Sequence, residues 1–195
     1  MAQSIQRGDL LSLEDYHERR PEMRREVLAH KASRQVAIGD HATLYFEDRL
    51  TIQYQIQEML RIERIFESQA VEEELAAYNP LIPDGDNLKA TFMLEYEDIN
   101  ERRAALSLLK GIEDCVWVRT GDHDKVYALA DEDLDRSTDD KTSAVHFLRF
   151  QMSPAMVEAA QAGEAIAFGI DHEHYRLSVD PVSEATRANL ARDFD

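Results

Sequence analysis

Residues 49–66 read RLTIQYQIQEMLRIERIF and contain neither glycine nor proline. Nearly every residue in this stretch tolerates a helix, and its apolar positions recur at helical spacing. The apolar residues that share one helical face are Ile52, Ile56, Met59, Leu60 and Phe66, and Ile62 and Ile65 broaden that face. The opposite, polar stripe consists of Gln53, Gln57, Arg61 and Arg64. An apolar face this wide predicts a long central helix that is embedded among the other elements of one compact body.

The chain is strongly acidic, with 39 Asp and Glu residues against 22 Lys and Arg residues and a net charge of -17. A field of this sign repels phosphate backbones and anionic lipid surfaces, so we expect neither nucleic acid nor a membrane as a partner. The basic residues between Arg19 and Arg34 are diluted by glutamates and are typical of a solvated helix face. The composition therefore favours partners that carry positive charge.

Apolar runs and cysteine content bear on the location of the protein. No apolar run approaches the roughly 20 residues that a bilayer-crossing helix needs, and the first residues lack the basic-then-apolar pattern of a secretory signal. The single Cys115 can form neither an internal disulfide nor a thiolate cage for a metal. We therefore expect a cytoplasmic protein, and a homo-oligomer is compatible with the sequence.

One loop divides the chain. Residues 78–87 read YNPLIPDGDN, and two prolines and a glycine in so short a stretch exclude regular structure. The loop separates residues 1–79, with N-terminal helices, a hairpin and the long helix, from residues 88–180. We expect the two parts to pack together as one compact domain.

The N-terminal part begins with two predicted helices. Ser12, with Asp15 three residues later, is typical of the cap of a short first helix. Pro21 suits the first turn of a second helix, which we expect to run to about Arg34. A hairpin follows, because two β-rich runs flank the turn Gly39-Asp40-His41.

Two stretches of the C-terminal part resemble each other element for element. The first reads ATFMLEY, helix, Gly, VWVRT, turn, KVYALAD, and the second reads VHFLRFQ, helix, Gly, AIAFGI, turn, YRLSVD. We infer two β-α-β-β units, preceded by an abbreviated α-β-β relative. Units packed edge to edge predict an α+β fold, with a mainly antiparallel sheet and helices on one face. Chance similarity of short elements would give the same pattern.

Three histidines each follow an aspartate in a predicted hairpin turn, and they are His41, His123 and His172. If the units pack symmetrically, three imidazoles can converge, and three imidazoles with a water form a workable Zn or Fe site. The neighbouring carboxylates, Asp171 among them, can orient the imidazoles from outside. Asp and exposed His are also common in turns, and equivalent turns need not converge.

The segment Asp171-His172-Glu173-His174 is the strongest local candidate for a metal. On an extended chain, His172 and His174 point to the same side, so two ring nitrogens can grip one ion. A tight turn would break that alternation.

A further group of polar residues occupies positions where core is expected. The candidates for one polar pocket are Gln55, Glu58, Arg61, Lys141, His146 and Arg149. Buried pairs of this kind more often hold an architecture together than catalyse a reaction. A pocket between the long helix and the sheet, lined by Gln55, Glu58 and Arg149, would instead suit a small-molecule sensor.

Three long segments carry a resemblance to a known family. They are FEDRLTIQYQIQEMLRIERI, EELAAYNPLIPDGDNLKATFMLEY and DEDLDRSTDDKTSAVHFLRFQM, and ERRPEMRREVLAHK extends the likeness towards the start. The chain resembles a bacterial family known only as domain of unknown function 3501. The resemblance implies genes placed beside a rubrerythrin-like di-iron protein and an iron-sulfur protein similar to a heterodisulfide reductase or glycolate oxidase subunit. It therefore implies a role in redox chemistry or peroxide defence, and it assigns no catalytic residues.

We expect an accessory protein that binds redox partner proteins without catalysing a reaction itself. The acidic composition, the lack of a strong catalytic motif in the sequence and the implied neighbours all favour this reading. The alternative is a metal-binding protein or metal-dependent enzyme that uses the turn histidines, with Zn or Fe as the cofactor.

Overall fold

A computed structural model describes residues 4–138 and 140–194 as a mixture of helices and strands, which confirms the predicted α+β class. The helices are α1 (Leu13–Lys31), α2 (Arg49–Glu63), α3 (Ser68–Tyr78), α4 (Ile99–Leu108), α5 (Pro154–Gln161) and α6 (Glu184–Leu190). The strands are β1 (Gln35–Ile38), β2 (Ala42–Phe46), β3 (Asn87–Leu94), β4 (Val116–Thr120), β5 (Val126–Tyr127), β6 (Leu129–Ala130), β7 (Val145–Gln151), β8 (Ile166–His172) and β9 (Tyr175–Val179). Within the described ranges, no helix combines the length and the apolar character that crossing a membrane requires.

The strands form two antiparallel sheets, where the sequence predicted one. Sheet A has the order β1-β2-β3-β7-β6, and sheet B has the order β5-β4-β8-β9. Each predicted β-α-β-β unit places its first strand in sheet A and its second in sheet B. The predicted strand over residues 125–130 is likewise divided, because β5 joins sheet B and β6 joins sheet A. That the two units are repeats of one another stays a prediction.

The main core lies between the two sheets. Alternation along β7 sends Leu148 and Phe150 towards sheet B and leaves Phe147 and Arg149 on the outer face of sheet A. The ring of Phe168 on β8 lies 5.7 Å from that of Phe150, centroid to centroid. Aromatic and β-branched side chains therefore fill the space between the sheets.

A second, smaller core holds the helical layer, which consists of α1, α2 and α3. On α2, Ile52, Ile56 and Leu60 are buried against α3. The helix ends at Arg64, whose left-handed φ of 56° stops it before the predicted end at residue 66. Ile62 is 57% exposed and Phe66, beyond the end of the helix, is 72% exposed. The predicted apolar face is therefore buried only in part.

The start of the chain explains the polar stripe of α2. Gln57 is fully buried, and its Oε1 accepts a hydrogen bond of 2.6 Å from the Leu11 backbone N–H. Gln53 donates to the backbone oxygen of Asp9 at 2.7 Å. The two glutamine side chains therefore hydrogen-bond backbone groups of the N-terminal segment that no strand or helix pairs.

The predicted break at Pro21 is wrong, because α1 continues through it from Leu13 to Lys31. A proline inside a helix costs one backbone hydrogen bond. Tyr16 and Val27, about three turns apart on one side of α1, are both buried and anchor the helix on either side of the proline. Tertiary packing therefore overrides the local signal.

Candidate functional site

The structure does not bring the three turn histidines together. Thr120, at the start of the His123 turn, pairs with Ile166 at the beginning of β8. His172 closes β8 at its other end. The length of β8 therefore separates His123 from His172.

His41 lies close to the His172 hairpin but makes its own contacts. Tyr175, which pairs with His172 across the hairpin, donates its hydroxyl to the Ile38 backbone oxygen at 2.7 Å and thereby joins the two hairpins. The imidazole of His41 stacks on Tyr96 with 4.1 Å between ring centroids, and its Nδ1 bonds the backbone oxygen of the adjacent Glu95.

Both ring nitrogens of His172 are occupied. Nδ1 accepts from the His174 backbone N–H at 3.2 Å, and Nε2 donates to the Lys110 backbone oxygen at 3.1 Å. His174 is 43% exposed and pairs with Glu173. The ring nitrogens of His172 that could bind a metal are therefore used in hydrogen bonds that stabilise a tight turn.

Asp171, the carboxylate of the predicted metal site, instead accepts hydrogen bonds from Lys125 at 2.7 Å and Tyr127 at 2.8 Å. Within residues 4–138 and 140–194, no group of three or more His, Cys, Asp or Glu side chains is arranged to hold a metal ion. Metal binding stays a prediction, and elemental analysis tests it: zinc or iron in stoichiometric amount, lost in the double variant His172→Ala and His174→Ala, would support it.

The residues of the predicted polar pocket lie in different places. Glu58 lies between α1 and α2, where it accepts from Arg20 at 2.7 and 2.9 Å, from Tyr16 at 2.6 Å and from Arg61 at 3.3 Å. These bonds make Glu58 the centre of a helix-to-helix contact rather than the wall of a pocket.

The other members of the predicted set are divided by the faces of sheet A. Lys141 is exposed in the loop after β6, and His146 faces the main core. Gln55 and Arg149, however, both line the space between the helical layer and sheet A. The predicted pocket between the long helix and the sheet therefore has a counterpart with a partly different lining.

We call this space the interlayer groove, and it consists of two adjoining cavities. The first has a volume of about 450 Å³, and the second about 370 Å³. They share Glu47, Leu81 and Phe147. The charged residues of the first cavity are Glu47, Asp84, Lys89, Glu132, Asp133 and Arg149. The second cavity is lined mainly by Tyr45, Ile52, Tyr78, Leu81, Met93 and Phe147, with Lys31, Gln55 and Thr91 as polar members.

The groove exists because the two cores are separate. The apolar residues of α2 pack on α3 rather than on sheet A, and the outer face of sheet A carries polar side chains such as Lys89 and Thr91. The helices therefore cover this face without filling the space above it. Ligand pockets in proteins commonly measure about 300–1,000 Å³ and combine an apolar wall with a few polar groups.

The cations of the first cavity, Lys89 and Arg149, are already bonded. Lys89 Nζ donates to the backbone oxygens of Pro80 at 2.9 Å and Ile82 at 2.8 Å and to Asp84 at 3.0 Å. Arg149 holds Glu132 through two hydrogen bonds of 2.7 Å. This hydrogen bonding from Arg149 lowers the pKa of Glu132 below its ordinary value.

Glu47 differs from the other carboxylates of the groove. Its Oε2 accepts from the Thr51 hydroxyl at 2.6 Å, and its Oε1 accepts from the Thr91 hydroxyl at 3.1 Å. In the described part of the chain, no cationic side chain forms an ion pair with it. The Glu47 carboxylate therefore stands at the junction of the two cavities with two hydroxyl partners.

A buried polar network lies beneath one wall of the groove. His146 is fully buried, with Nδ1 2.6 Å from Asp131 Oδ2 and Nε2 2.8 Å from the Thr142 hydroxyl. That hydroxyl donates to Glu113 at 2.8 Å. The network ties the loop after β6 to β7, and it contains acidic groups that would be costly to bury alone.

The same network positions the start of the loop after β6 beside the groove. Asp131 has a left-handed φ of 50°, which costs energy in a residue other than glycine. Its Oδ1 accepts from the Phe147 backbone N–H at 3.0 Å and from Arg136 at 3.1 Å. Fixed in this way, the chain presents Glu132 and Asp133 to the groove.

Comparison of the chain with known proteins identifies its family. Residues 4–194 match the family described as Protein of unknown function (DUF3501). The chain belongs to this family. It is similar to a solved structure, described as a novel protein of unknown function from Burkholderia pseudomallei at 1.90 Å resolution, with 49% identity. The match covers 99% of this chain and 100% of the other, with a TM-score of 0.94. No curated protein matches the chain.

Sequence reasoning missed Glu47, Lys89 and Phe147 as groove residues of this DUF3501 protein. Glu47 lies between the end of β2 and the Asp48 cap of α2, where an acidic residue is ordinary. The alternation of β3 held a usable signal, because Lys89, Thr91 and Met93 oppose its buried residues. A sheet face that carries such polar side chains is either exposed to solvent or covered by an element with polar groups of its own.

Proposed function

We propose that this protein is a non-catalytic accessory protein of a redox or peroxide-defence system and that it acts by binding. The family resemblance supports the redox setting, since it implies neighbours that are a rubrerythrin-like protein and an iron-sulfur protein. The net charge of -17 supports docking to partner surfaces that carry positive charge, because opposite charges steer association. The interlayer groove supports a small organic molecule as a ligand of the same protein.

The groove is the observation that carries the binding role. Its cavities of about 450 and 370 Å³ adjoin at Glu47, and both have apolar walls with polar groups at separate points. Its lining comes from the helical layer, from sheet A and from the loop after β6. A ligand held there would contact all three, so that its presence can alter the outer surface that a partner protein meets.

A thermal-shift screen of small organic molecules of different charge tests the ligand. A ligand present at about 100 times its Kd stabilises the folded state by about 2.7 kcal/mol, which raises Tm by several degrees. We expect the effect to disappear in Ala77→Trp, which fills the first cavity, and to persist in Ala104→Trp, an exposed alanine of α4 outside the groove. A hit that stabilises both variants equally would place its site elsewhere, and a screen without any hit would remove the ligand from the proposal.

A pull-down tests the partners. The tagged chain is mixed with the purified rubrerythrin-like and iron-sulfur proteins at low salt and again at about 0.5 M salt, where screening is nearly complete at contact distances. We expect retention of at least one partner at low salt and its loss at high salt. If neither protein is retained at low salt, the redox assignment fails, whatever the ligand screen shows.

A further inference from the structure

We propose that the interlayer groove binds an organic cation, an amine or ammonium group carried on an apolar or aromatic body, with Glu47 as the charged contact. This inference rests on the proposed function, because it names the chemical class of the ligand for the same groove. The hydrogen-bonding groups of the groove that remain unused decide the charge of the ligand.

The cationic donors of the first cavity have little left to offer to an anion. An ammonium group has three donors, and Lys89 directs all of them at the Pro80 and Ile82 oxygens and Asp84. The edge of Arg149 that would bind a carboxylate side-on is occupied by Glu132. An anionic group in the first cavity, next to Glu47, would therefore have to break existing ion pairs. Lys31 lines only the second cavity.

The acceptors of Glu47, by contrast, are only half used. A carboxylate offers about four lone-pair sites, and the hydroxyls of Thr51 and Thr91 take two of them. The first cavity also contains four carboxylates, Glu47, Asp84, Glu132 and Asp133, against two cations, Lys89 and Arg149. A third cation, Arg136, pairs with Asp133 at 2.7 Å from outside the cavity. Among the described residues, Glu47 is therefore the carboxylate of this cavity that lacks a cationic partner.

The walls next to Glu47 suit the body of such a ligand. Phe147 and Leu81 line both cavities, and Tyr45 and Tyr78 line the second. Aromatic faces attract cations because the ring carries partial negative charge on its face. A ligand with one cationic nitrogen and an apolar group of about ten heavy atoms fits the groove by size and by polarity.

Three probes of one shape test the charge. Phenethylamine is a cation at neutral pH, 2-phenylethanol is neutral and 3-phenylpropionate is an anion. Each is titrated into the full chain by amide NMR. We expect phenethylamine to bind at least tenfold more tightly than the other two, with the largest shifts at Glu47, Thr51 and Thr91.

Two glutamine variants localise the contact. Glu47→Gln keeps the shape of the side chain and can still accept from one threonine hydroxyl, and we expect it to lose at least tenfold in phenethylamine affinity. Glu95→Gln is the matched control, since Glu95 also accepts from two hydroxyls, those of Thr43 and Tyr45, but lies outside both cavities. It should bind like the original chain, and thermal unfolding verifies that both variants fold.

The outcomes separate this inference from the function on which it rests. Tighter binding of 3-phenylpropionate or 2-phenylethanol in the groove, or an affinity for phenethylamine that Glu47→Gln does not change, overturns the cation and leaves the ligand-binding role intact. The cation is also overturned, and the ligand-binding role kept, if none of the three probes binds and the screen finds only neutral or anionic molecules that depend on the groove. Failure of all probes and of the whole screen removes the groove as a ligand site.

Discussion

Arg34 shows how single residues hold this fold together, because its side chain is only 1% exposed. Its guanidinium donates to Asp193 at 2.5 Å, to Asn189 at 2.8 Å and to the Glu47 backbone oxygen at 2.9 Å. Burial raises the pKa of the Asp193 carboxyl to about 6, against the opposing effect of Arg34. One buried charge therefore joins the end of the chain to the connection between β2 and α2.

Replacing Arg34 by methionine should destabilise the protein by about 3–5 kcal/mol, because it leaves the Asp193 carboxyl buried without its partner. Urea unfolding of the variant measures the loss. The control is Arg24→Met on the exposed side of α1, for which we expect a change within about 0.5 kcal/mol. Adding Asp193→Leu to Arg34→Met should restore part of the loss. A loss below about 1 kcal/mol for Arg34→Met would contradict the role assigned to this pair.

Glu58 gives the protein a predictable sensitivity to acid. Hydrogen bonding from Arg20, joined by Tyr16 and Arg61, lowers the pKa of Glu58 from 4.5 to about 2 against the desolvation that raises it. The unfolded chain therefore takes up this proton first as the pH falls. The stabilisation is present above pH 4.5 and is lost as the pH falls towards 2.

We expect Glu58→Gln to remove about 1 kcal/mol of this pH-dependent stability, less than full linkage would give because its arginine partners are partly exposed to solvent. The measurement is the free energy of unfolding between about pH 5 and pH 2.5, the range in which Glu58 is expected to titrate. Glu72→Gln, an exposed carboxylate of α3, serves as the control and should keep the slope of the original chain. Identical slopes in all three proteins would contradict the assignment.

Among the larger elements, the loop after β6 depends on the network around His146. In His146→Phe, the ring still fills the core, but Asp131 Oδ2 and the Thr142 hydroxyl lose their hydrogen bonds to the imidazole. We expect a loss of about 1–3 kcal/mol, the cost of leaving buried polar groups unsatisfied, and faster hydrogen exchange from Asp131 to Arg136. His41→Phe is the comparison, since the only hydrogen bond of the His41 imidazole among the described residues is to a backbone oxygen, and the ring stacks on Tyr96. Unchanged exchange in the loop would show that the network does not position it.

Sheet B has a close approach that only glycine allows. A Cβ on Gly169 would lie 2.3 Å from Trp117 Cζ2 and 2.9 Å from the Leu177 backbone oxygen. We expect Gly169→Ala to cost about 1–3 kcal/mol, as overpacking does, and to shift the fluorescence of the single tryptophan. Gly8→Ala has open space around the new methyl group and should change neither property. An unshifted tryptophan signal in Gly169→Ala would contradict this packing.

At the scale of the whole molecule, the net charge of -17 acts against compactness because like charges repel each other. We expect Tm to rise with sodium chloride up to about 0.5 M, where surface charges are largely screened. A variant carrying Glu72→Lys and Glu73→Lys has a less negative charge and should respond less to salt. A Tm that falls with salt, or an equal response in both proteins, would show that ion pairs outweigh the repulsion.

The local elements could largely be read from the sequence. The span of α5 after Ser153, the hairpin around Gly39 and the strand that became β7 depend on caps, turn residues and short-range patterns. The family followed from long and specific segments. The caps, turns and short-range patterns depend on residues close together in the chain, so the neighbouring residues are sufficient to predict them.

The arrangement of those elements needed the tertiary structure. The uninterrupted α1, the two sheets, the separation of the histidine turns and the junction of two cavities at Glu47 all depend on contacts between distant residues. Glu47 bonds Thr51 on α2 and Thr91 on β3, and Arg34 bonds Asp193 near the end of the chain. Local sequence was enough to predict most helices and strands and the net charge of the chain, but not the continuous α1 or the division of residues 125–130 between two sheets. Only packing decided where charges are buried and where a groove stays open, because the cost of burying a charge depends on partners that local sequence does not specify.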